Sequence, residues 1–181
     1  MYTTLATQGR ERVHNGLAGI DSSKLKSLRN SQLKECFNLI DEMRHKMEFV
    51  ARIKGISFVD DAASRSALST WYALETIEGK AIWIVNGAAE DKKIAASFKR
   101  LRPLVANKIV AIICLGDTAL YDSLFGDIVS DIRSANSMNE AVHTAFYSNH
   151  DNSKILFSPA YENGVPMEEQ GNAFKREVNE L

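Results

Sequence analysis

The chain of 181 residues is long enough to bury a substantial core, and its composition, 45% hydrophobic and 25% charged, is that of a globular protein rather than a disordered chain. A formal net charge of −1 excludes a general attraction to nucleic acid or to an anionic membrane. No apolar run approaches the roughly 20 residues that cross a membrane, and the N-terminus lacks the apolar segment of a signal peptide. We therefore expect a cytoplasmic protein with no nucleic-acid or membrane partner.

Residues 1–45 are polar and predict a helical segment that precedes the main domain. Apolar side chains recur there at roughly helical spacing, at Leu25, Leu28, Leu33, Cys36, Phe37 and Ile40. We expect this amphipathic helix to pack on the body of the protein. Cys36 and Cys114 lie in apolar segments without metal-ligand spacing, so we interpret both as reduced core thiols.

The stretch that follows predicts a hairpin leading into an acidic turn. Glu48–Ile53 and Ile56–Val59 read as two strands around Lys54-Gly55, where the glycine supplies the turn. Asp60-Asp61 come next, before a helix that is expected to open near Ser69-Thr70. Acidic groups between a strand and a helix lie where open α/β sheets place their ligand crevice. Adjacent aspartates in such a turn are, however, more often solvated or capping residues.

The remainder of the chain alternates predicted helices with predicted strands. The helix after Ser69 has an apolar face that includes Trp71, Leu74 and Ile77 and is expected to end at Gly79. Further strands are predicted at Ala81–Val85, Ile109–Leu115, Asp127–Ile132 and Lys154–Phe157. Further helices are predicted at about Ile94–Val105, 118–125, Met138–Tyr147 and Pro166–Val178. This alternation, with continuous apolar strands, predicts an α/β fold with a Rossmann-like, mostly parallel sheet.

Several collinear stretches resemble the C-terminal domain of the Mur ligases, and most nearly that of the MurD family, which adds D-glutamate to UDP-N-acetylmuramoyl-L-alanine. They are Met43–Asp61, Ser69–Glu75 (STWYALE), Trp83–Gly87 (WIVNG), Ala111–Gly116 (AIICLG), Phe157–Ala160 (FSPA) and Gln170–Lys175 (QGNAFK). The resemblance covers residues 10–181. It implies a Rossmann-like domain at 46–181, preceded at 1–45 by a segment similar to the end of the family's central domain.

The resemblance also implies vestigial nucleotide-binding residues. His14-Asn15, in the stretch Arg12–Ile20, resemble a pair that lies near the nucleotide base in the family. Asp60-Asp61 resemble a pair in which one carboxylate accepts hydrogen bonds from the ribose. The family's phosphate loop, G-x-x-x-x-G-K-[ST], binds ATP and magnesium, but no such pattern occurs in these residues. We therefore expect no cofactor for this chain alone, and ATP and magnesium only if a partner supplies the phosphate loop.

Three loops that contact substrate in the family depart from its pattern. The family's lysine after the aspartate pair is Ala63 here, and Arg65 is a nearby cation of different geometry. Lys92 is a candidate for a displaced phosphate or carboxylate contact, although it also fits a solvated position in a capped helix start. After FSPA, the shortened loop Tyr161–Pro166 carries Glu162, whose charge would repel a dicarboxylate such as D-glutamate.

Ser158 and Asn163, in and after FSPA, are further candidates for phosphate or substrate contacts. The histidines are scattered at His14, His45, His143 and His150, without metal-ligand spacing, so no metal site is predicted.

Three functions remain open from the sequence. The first is a MurD-like module derived from peptidoglycan precursor synthesis, a pseudoenzyme that binds a ligand or a protein without catalysis. The second is a fragment or half of a split ATP-dependent ligase, whose partner would be a protein that carries the phosphate loop. The third is a self-associating structural domain that forms a homo-oligomer.

Overall fold

A computed structural model describes residues 44–89, 91–148 and 153–181. They belong to one unit, Arg44–Leu181, which is separate from residues 1–43. The predicted amphipathic helix and the His14-Asn15 pair lie outside the described residues, as does His150. Within the described ranges, no helix combines the length and the apolar character that crossing a membrane requires.

The described strands form a single mixed sheet. The strands are β1 (Glu48–Ile53), β2 (Ile56–Asp60), β3 (Ala81–Asn86), β4 (Ile109–Leu115), β5 (Ile132–Ala135) and β6 (Lys154–Phe157). Their order across the sheet is β1-β2-β6-β3-β4-β5. β1 pairs with β2 in an antiparallel hairpin, and every other neighbouring pair is parallel. The prediction of a Rossmann-like, mostly parallel sheet is confirmed.

Helices connect the parallel strands. In the described ranges they are α1 (Ala67–Thr76), α2 (Lys92–Phe98), α3 (Arg102–Lys108), α4 (Ala119–Phe125), α5 (Met138–Tyr147) and α6 (Met167–Asn179), with a 3₁₀ turn at Lys99–Leu101. The prediction for Met138–Tyr147 agrees with α5 at both ends.

Two apolar layers cover the two faces of the sheet. All residues of β3 are buried, and they alternate between the layers: Trp83 and Val85 belong to one, and Ile82 and Ile84 to the other. The first layer is closed by side chains from α1 to α4, and the second by side chains from α5 and α6. Because both faces are covered, the carboxyl ends of the parallel strands form the edge at which such sheets bind ligands.

The prediction of one continuous helix at about Ile94–Val105 is wrong, because this stretch is divided between two α-helices with a 3₁₀ turn between them. The break falls at Arg102-Pro103, where α3 begins. Proline has no backbone N–H, and its ring would collide with the carbonyl of Lys99 in a continuous α-helix. The 3₁₀ turn at Lys99–Leu101 accommodates the proline at the start of α3, where it is tolerated.

The predicted strand Asp127–Ile132 is also wrong, because β5 begins only at Ile132. The backbone N–H groups of Ile128 and Val129 both donate to the carbonyl of Phe125, at 2.9 and 2.8 Å, and so extend the end of α4 as a turn. Ile128 and Val129 are apolar because they pack into the core under this turn, not because they lie in a strand.

Two helix ends also differ from prediction. α1 starts at Ala67 with Ser66 as its N-cap and ends at Thr76, ahead of Gly79. Pro166 is the N-cap of α6 and not a residue of its first turn.

Candidate ligand-binding crevice

A crevice of about 390 Å³ lies where β4 and β5 end, between the start of α5 and the first turns of α6. Its lining consists of Leu115 and Gly116, residues 135–138, Asn163 and Val165, and Glu169, Gln170 and Ala173 of α6. Its volume is within the range of small-molecule binding sites, and it lies at the strand edge where this class of sheet binds ligands.

A chain of amide side chains connects Gln170 of the crevice to the end of β3. Asn86 donates from Nδ2 to the carbonyl of Tyr161 at 3.0 Å, which turns its Oδ1 toward Gln170. Gln170 Nε2 donates to Asn86 Oδ1 and to Asn163 Oδ1, both at 3.1 Å. Asn163 Oδ1 also accepts from the backbone N–H of Val165 at 3.1 Å. The orientation of each amide is therefore set by its neighbours.

The other end of the Gln170 amide has no partner. The residue is 6% exposed, and its Oε1 is buried without a hydrogen bond in the described structure. A buried acceptor left unpaired costs roughly 1–3 kcal/mol. Such atoms are uncommon in native proteins, and an absent ligand or water is one of the ordinary reasons for one.

The crevice carries no positive side chain. Among the described residues that line it, none is lysine, arginine or histidine, and Glu169 contributes a carboxylate. Binding a second negative charge here would meet repulsion without compensation. The crevice therefore suits a neutral or cationic group better than a phosphate or a dicarboxylate.

The two cations predicted as substrate contacts lie outside this lining. Arg65 donates from Nη2 to the carbonyl of Val165 at 3.0 Å, so it fastens the turn after β2 to a wall of the crevice. Lys92 is exposed at the start of α2, where Asp91 Oδ1 accepts from the backbone N–H groups of Lys93 and Ile94 at 2.8 and 2.9 Å. The hydrogen bonds to these two amides lower the pKa of Asp91.

Asp61 lies at the end of β2 and is almost fully buried, at 1% exposure. Its Oδ1 accepts from the backbone N–H of Met47, and its Oδ2 from the hydroxyl of Ser158, both at 3.1 Å. Burial raises the pKa of Asp61 to about 6, although its hydrogen bonds act in the opposite direction. Each oxygen thus already has a partner within the unit, and ribose binding by Asp61 remains a prediction. Ser158, the other predicted contact here, is itself fully buried.

Asp60 belongs to a separate buried cluster. Its Oδ2 lies 2.6 Å from Nδ1 of His45, and both side chains are fully buried. Glu48 accepts from the backbone N–H of His45 at 3.1 Å and from Nζ of Lys175 at 2.6 Å. Burial alone would raise the pKa of Glu48, but these hydrogen bonds and the charge of Lys175 outweigh it and lower that pKa.

His45, Glu48 and Asp60 also resemble a metal-ligand set, because one ligand atom of each lies within 4.8 Å of the others. Lys175 Nζ, however, lies 2.6 Å from Glu48 and 3.7 Å from Asp60. Its ammonium group already supplies the positive charge that a cation would bring. We therefore interpret this cluster as structural.

The sequence interpretation missed the roles of His45, Gln170 and Asn86. His45 had a usable signal, because a hairpin that turns at Lys54-Gly55 brings Glu48 opposite Asp60, and His45 is only three residues earlier. Gln170 and Asn86 had none, since 84 residues separate them and only the fold brings them together.

Comparisons with known proteins identify relatives that match nearly the whole length of this chain. No family model matches. The UDP-N-acetylmuramoylalanine–D-glutamate ligase of Christiangramia forsetii is 32% identical over 184 residues, which cover 98% of this chain and 40% of the relative. The ligase of the same name from Porphyromonas gingivalis is 29% identical over 181 residues, which cover 98% of this chain and 39% of the relative. The chain therefore spans about two fifths of the length of these curated relatives.

A solved structure supports the fold. The crystal structure of MurF from Acinetobacter baumannii matches with a TM-score of 0.51 at 15% identity, over 73% of this chain and 30% of that chain. Over 98% of its length, the chain is thus related to the Mur ligase family. Within the family, its sequence is similar to that of the UDP-N-acetylmuramoylalanine–D-glutamate ligases. The family resemblance seen in the sequence is confirmed.

Proposed function

We propose that the unit Arg44–Leu181 is a MurD-like ligand-binding module that binds a small molecule in the crevice and performs no ligation by itself. The observation that carries the proposal is the crevice at the carboxyl edge of the sheet, with the buried, unpaired Oε1 of Gln170 among its lining residues. A binding site needs polar groups that are fixed in position and not already saturated, and the amide chain provides one.

The charges of the crevice support the absence of catalysis in this unit. Ligation through an acyl phosphate needs cations around the transferring phosphoryl group. The described lining residues include no cation. At the position where the family has a lysine, Ala63 donates its backbone N–H to the carbonyl of His45 at 2.9 Å and has no ammonium group to offer. Turnover of ATP therefore depends on groups outside this unit.

Isothermal titration of the full chain tests the proposal. We expect saturable binding of small neutral or cationic ligands, no binding of Mg-ATP and no release of phosphate. Ala173→Phe, which fills the crevice, should abolish ligand binding, whereas Asn172→Phe, on the exposed side of the same helix, should preserve it. Saturable binding of Mg-ATP with phosphate release by the chain alone would contradict the proposal.

A second candidate function is a share in an ATP-dependent ligase whose phosphate loop lies on other residues. It is favoured by the similarity of 98% of this chain to about two fifths of complete ligases. The test is phosphate release from Mg-ATP in the presence of UDP-N-acetylmuramoyl-L-alanine and an amino-acid panel, with and without a separately purified protein that carries a phosphate loop. Turnover only in the mixture supports this candidate, and no turnover in any mixture argues against it.

A further inference from the structure

The amide chain at the crevice leaves one acceptor and no free donor on Gln170. Both of its N–H groups are committed, to Asn86 and to Asn163. Flipping the side-chain amide of Asn86 or of Asn163 cannot turn a donor toward Gln170, because each amide is fixed by another hydrogen bond. Asn86 is held by the carbonyl of Tyr161, and Asn163 by the N–H of Val165. Gln170 lines the crevice, and the one polar atom of its side chain left unpaired, the buried Oε1, is therefore an acceptor.

The charges around Gln170 Oε1 also favour a ligand that donates a hydrogen bond. Glu169, the residue before Gln170, lines the crevice with a carboxylate, and no described lining residue is cationic. Gln170 Oε1 and the carboxylate of Glu169 are both hydrogen-bond acceptors. A ligand carboxylate placed near them would add a third acceptor and leave all three without a donor. A ligand N–H group would instead pair with Oε1 and be attracted by Glu169.

The rest of the lining is suited to an apolar ligand body. Leu115, Ala135, Met138, Val165 and Ala173 surround the polar groups. A volume of about 390 Å³ admits a short aliphatic chain together with a polar head group.

We infer that the crevice binds ligands that combine a short apolar body with an uncharged or cationic N–H donor head, a carboxamide or a primary ammonium, and that it discriminates against the corresponding carboxylate. This inference rests on the proposed function, because it names the ligand class of the proposed crevice. Gln170 is the specificity-determining residue, and Glu169 reinforces its preference.

Three probes with the same five-carbon skeleton differ only in the head group: pentanamide, pentylamine and pentanoate. Each is titrated into the isotopically labelled full chain and followed by amide NMR at Gly116 and at the side chain of Gln170. We expect the amide and the amine to bind at least about tenfold more tightly than the carboxylate, since loss of a paired buried group is typically worth that factor or more.

Two glutamate variants provide a matched pair in the first turn of α6. Glu169→Gln removes the lining charge and should strengthen pentanoate binding several-fold while weakening that of pentylamine. Glu168→Gln removes a charge that is also exposed but does not line the crevice, and it should change the binding of neither probe. Gln170→Met removes the acceptor and should reduce the preference for pentanamide over pentanoate to less than about threefold, with folding checked by thermal unfolding.

The outcomes separate the inference from the proposed function. Binding of pentanoate as tight as that of pentanamide would overturn the inference and leave a ligand-binding crevice in place. An unchanged preference in a folded Gln170→Met protein would also overturn it. Failure of all three probes to bind would overturn both the inference and the proposed function.

Discussion

Asp61 is a carboxyl group whose surroundings favour its protonated form. Its pKa rises from 3.8 to about 6 because burial disfavours the charge more than the hydrogen bonds from Ser64, Met47 and Ser158 favour it. In the unfolded chain the group ionises near its ordinary pKa. Between these two values the folded state binds more protons than the unfolded state, so stability falls as the pH rises.

Asp61→Asn should remove this pH dependence. Between about pH 4 and about pH 7, we expect the free energy of unfolding of the native protein to fall by about 2 kcal/mol relative to that of the variant. Urea-induced unfolding of both proteins across this range measures the difference. Glu48 and Glu177, whose pKa values are lowered, act with the opposite sign in both proteins and cancel. Parallel pH profiles for the two proteins would contradict the assignment.

Gly171 is required for contact between α6 and His45. A Cβ atom at this position would lie 2.0 Å from His45 Nδ1, which is far inside van der Waals distance. His45 is fully buried and paired with Asp60, so the imidazole has little freedom to move away. The glycine is thus explained by a close approach of side chain to helix.

The sign of the stability change in Gly171→Ala tests whether the close approach to His45 requires glycine. In an unobstructed helix interior the change would stabilise the protein by about 1 kcal/mol, because alanine is the better helix former. Here we expect a loss of about 1–3 kcal/mol from overpacking against His45. Asn172→Ala, on the exposed side of the same helix, should stay within about 0.5 kcal/mol. Chemical denaturation measures all three proteins, and a stabilised Gly171→Ala would show that the imidazole yields.

At the scale of elements, α1 begins at Ala67, slightly before the start that the sequence predicts near Ser69-Thr70. Ser66 Oγ accepts from the backbone N–H of Ser69 at 3.2 Å, and Ser69 Oγ accepts from the backbone N–H of Ser66 at 3.1 Å. Together they form a capping box that begins the helix at Ala67. The sequence offers several serines in this stretch, and only the backbone geometry distinguishes the cap from its partner.

The two serines should differ in their contribution to stability. Ser66→Ala leaves the backbone N–H of Ser69 without its acceptor and should cost about 1 kcal/mol. Ser69→Ala removes the reciprocal bond from the N–H of Ser66 and the bond that the Ser69 hydroxyl donates to the carbonyl of Ser66, both exposed, and we expect a loss below about 0.5 kcal/mol. Thermal unfolding of the two variants gives the ranking. Equal losses, or a larger loss for Ser69→Ala, would place the cap at Ser69.

Elements whose signal is local were predicted well, and those that depend on context were not. The hairpin, β3, β4, β6 and α5 follow from runs of apolar residues, from a glycine turn and from helical spacing. The prediction of a strand at Asp127–Ile132 failed because Val129 is buried and Ile128 partly buried beneath a turn, and such packing produces the same apolar signal there as in a strand. The helix broken at Pro103 had its signal in the sequence, in the proline itself.

At the scale of the whole molecule, strand order determines the sites. β6, although last in the chain, lies between β2 and β3. This order brings Ser158, which follows β6, beside Asp61, which follows β2, at 3.1 Å. It also lets the segment after β6 turn back over the end of β3, where Gln170 meets Asn86.

The sequence by itself determined the class of fold, the family and the position of the polar residues at strand ends, because these follow from local periodicity and from collinear motifs. Only the tertiary structure decided which polar groups meet. It paired Asp60 with His45, buried Asp61 against Ser158 and left Gln170 Oε1 without a partner. The physical reason is that hydrogen bonding and burial depend on neighbours in space, and the neighbours of a parallel sheet are distant in sequence.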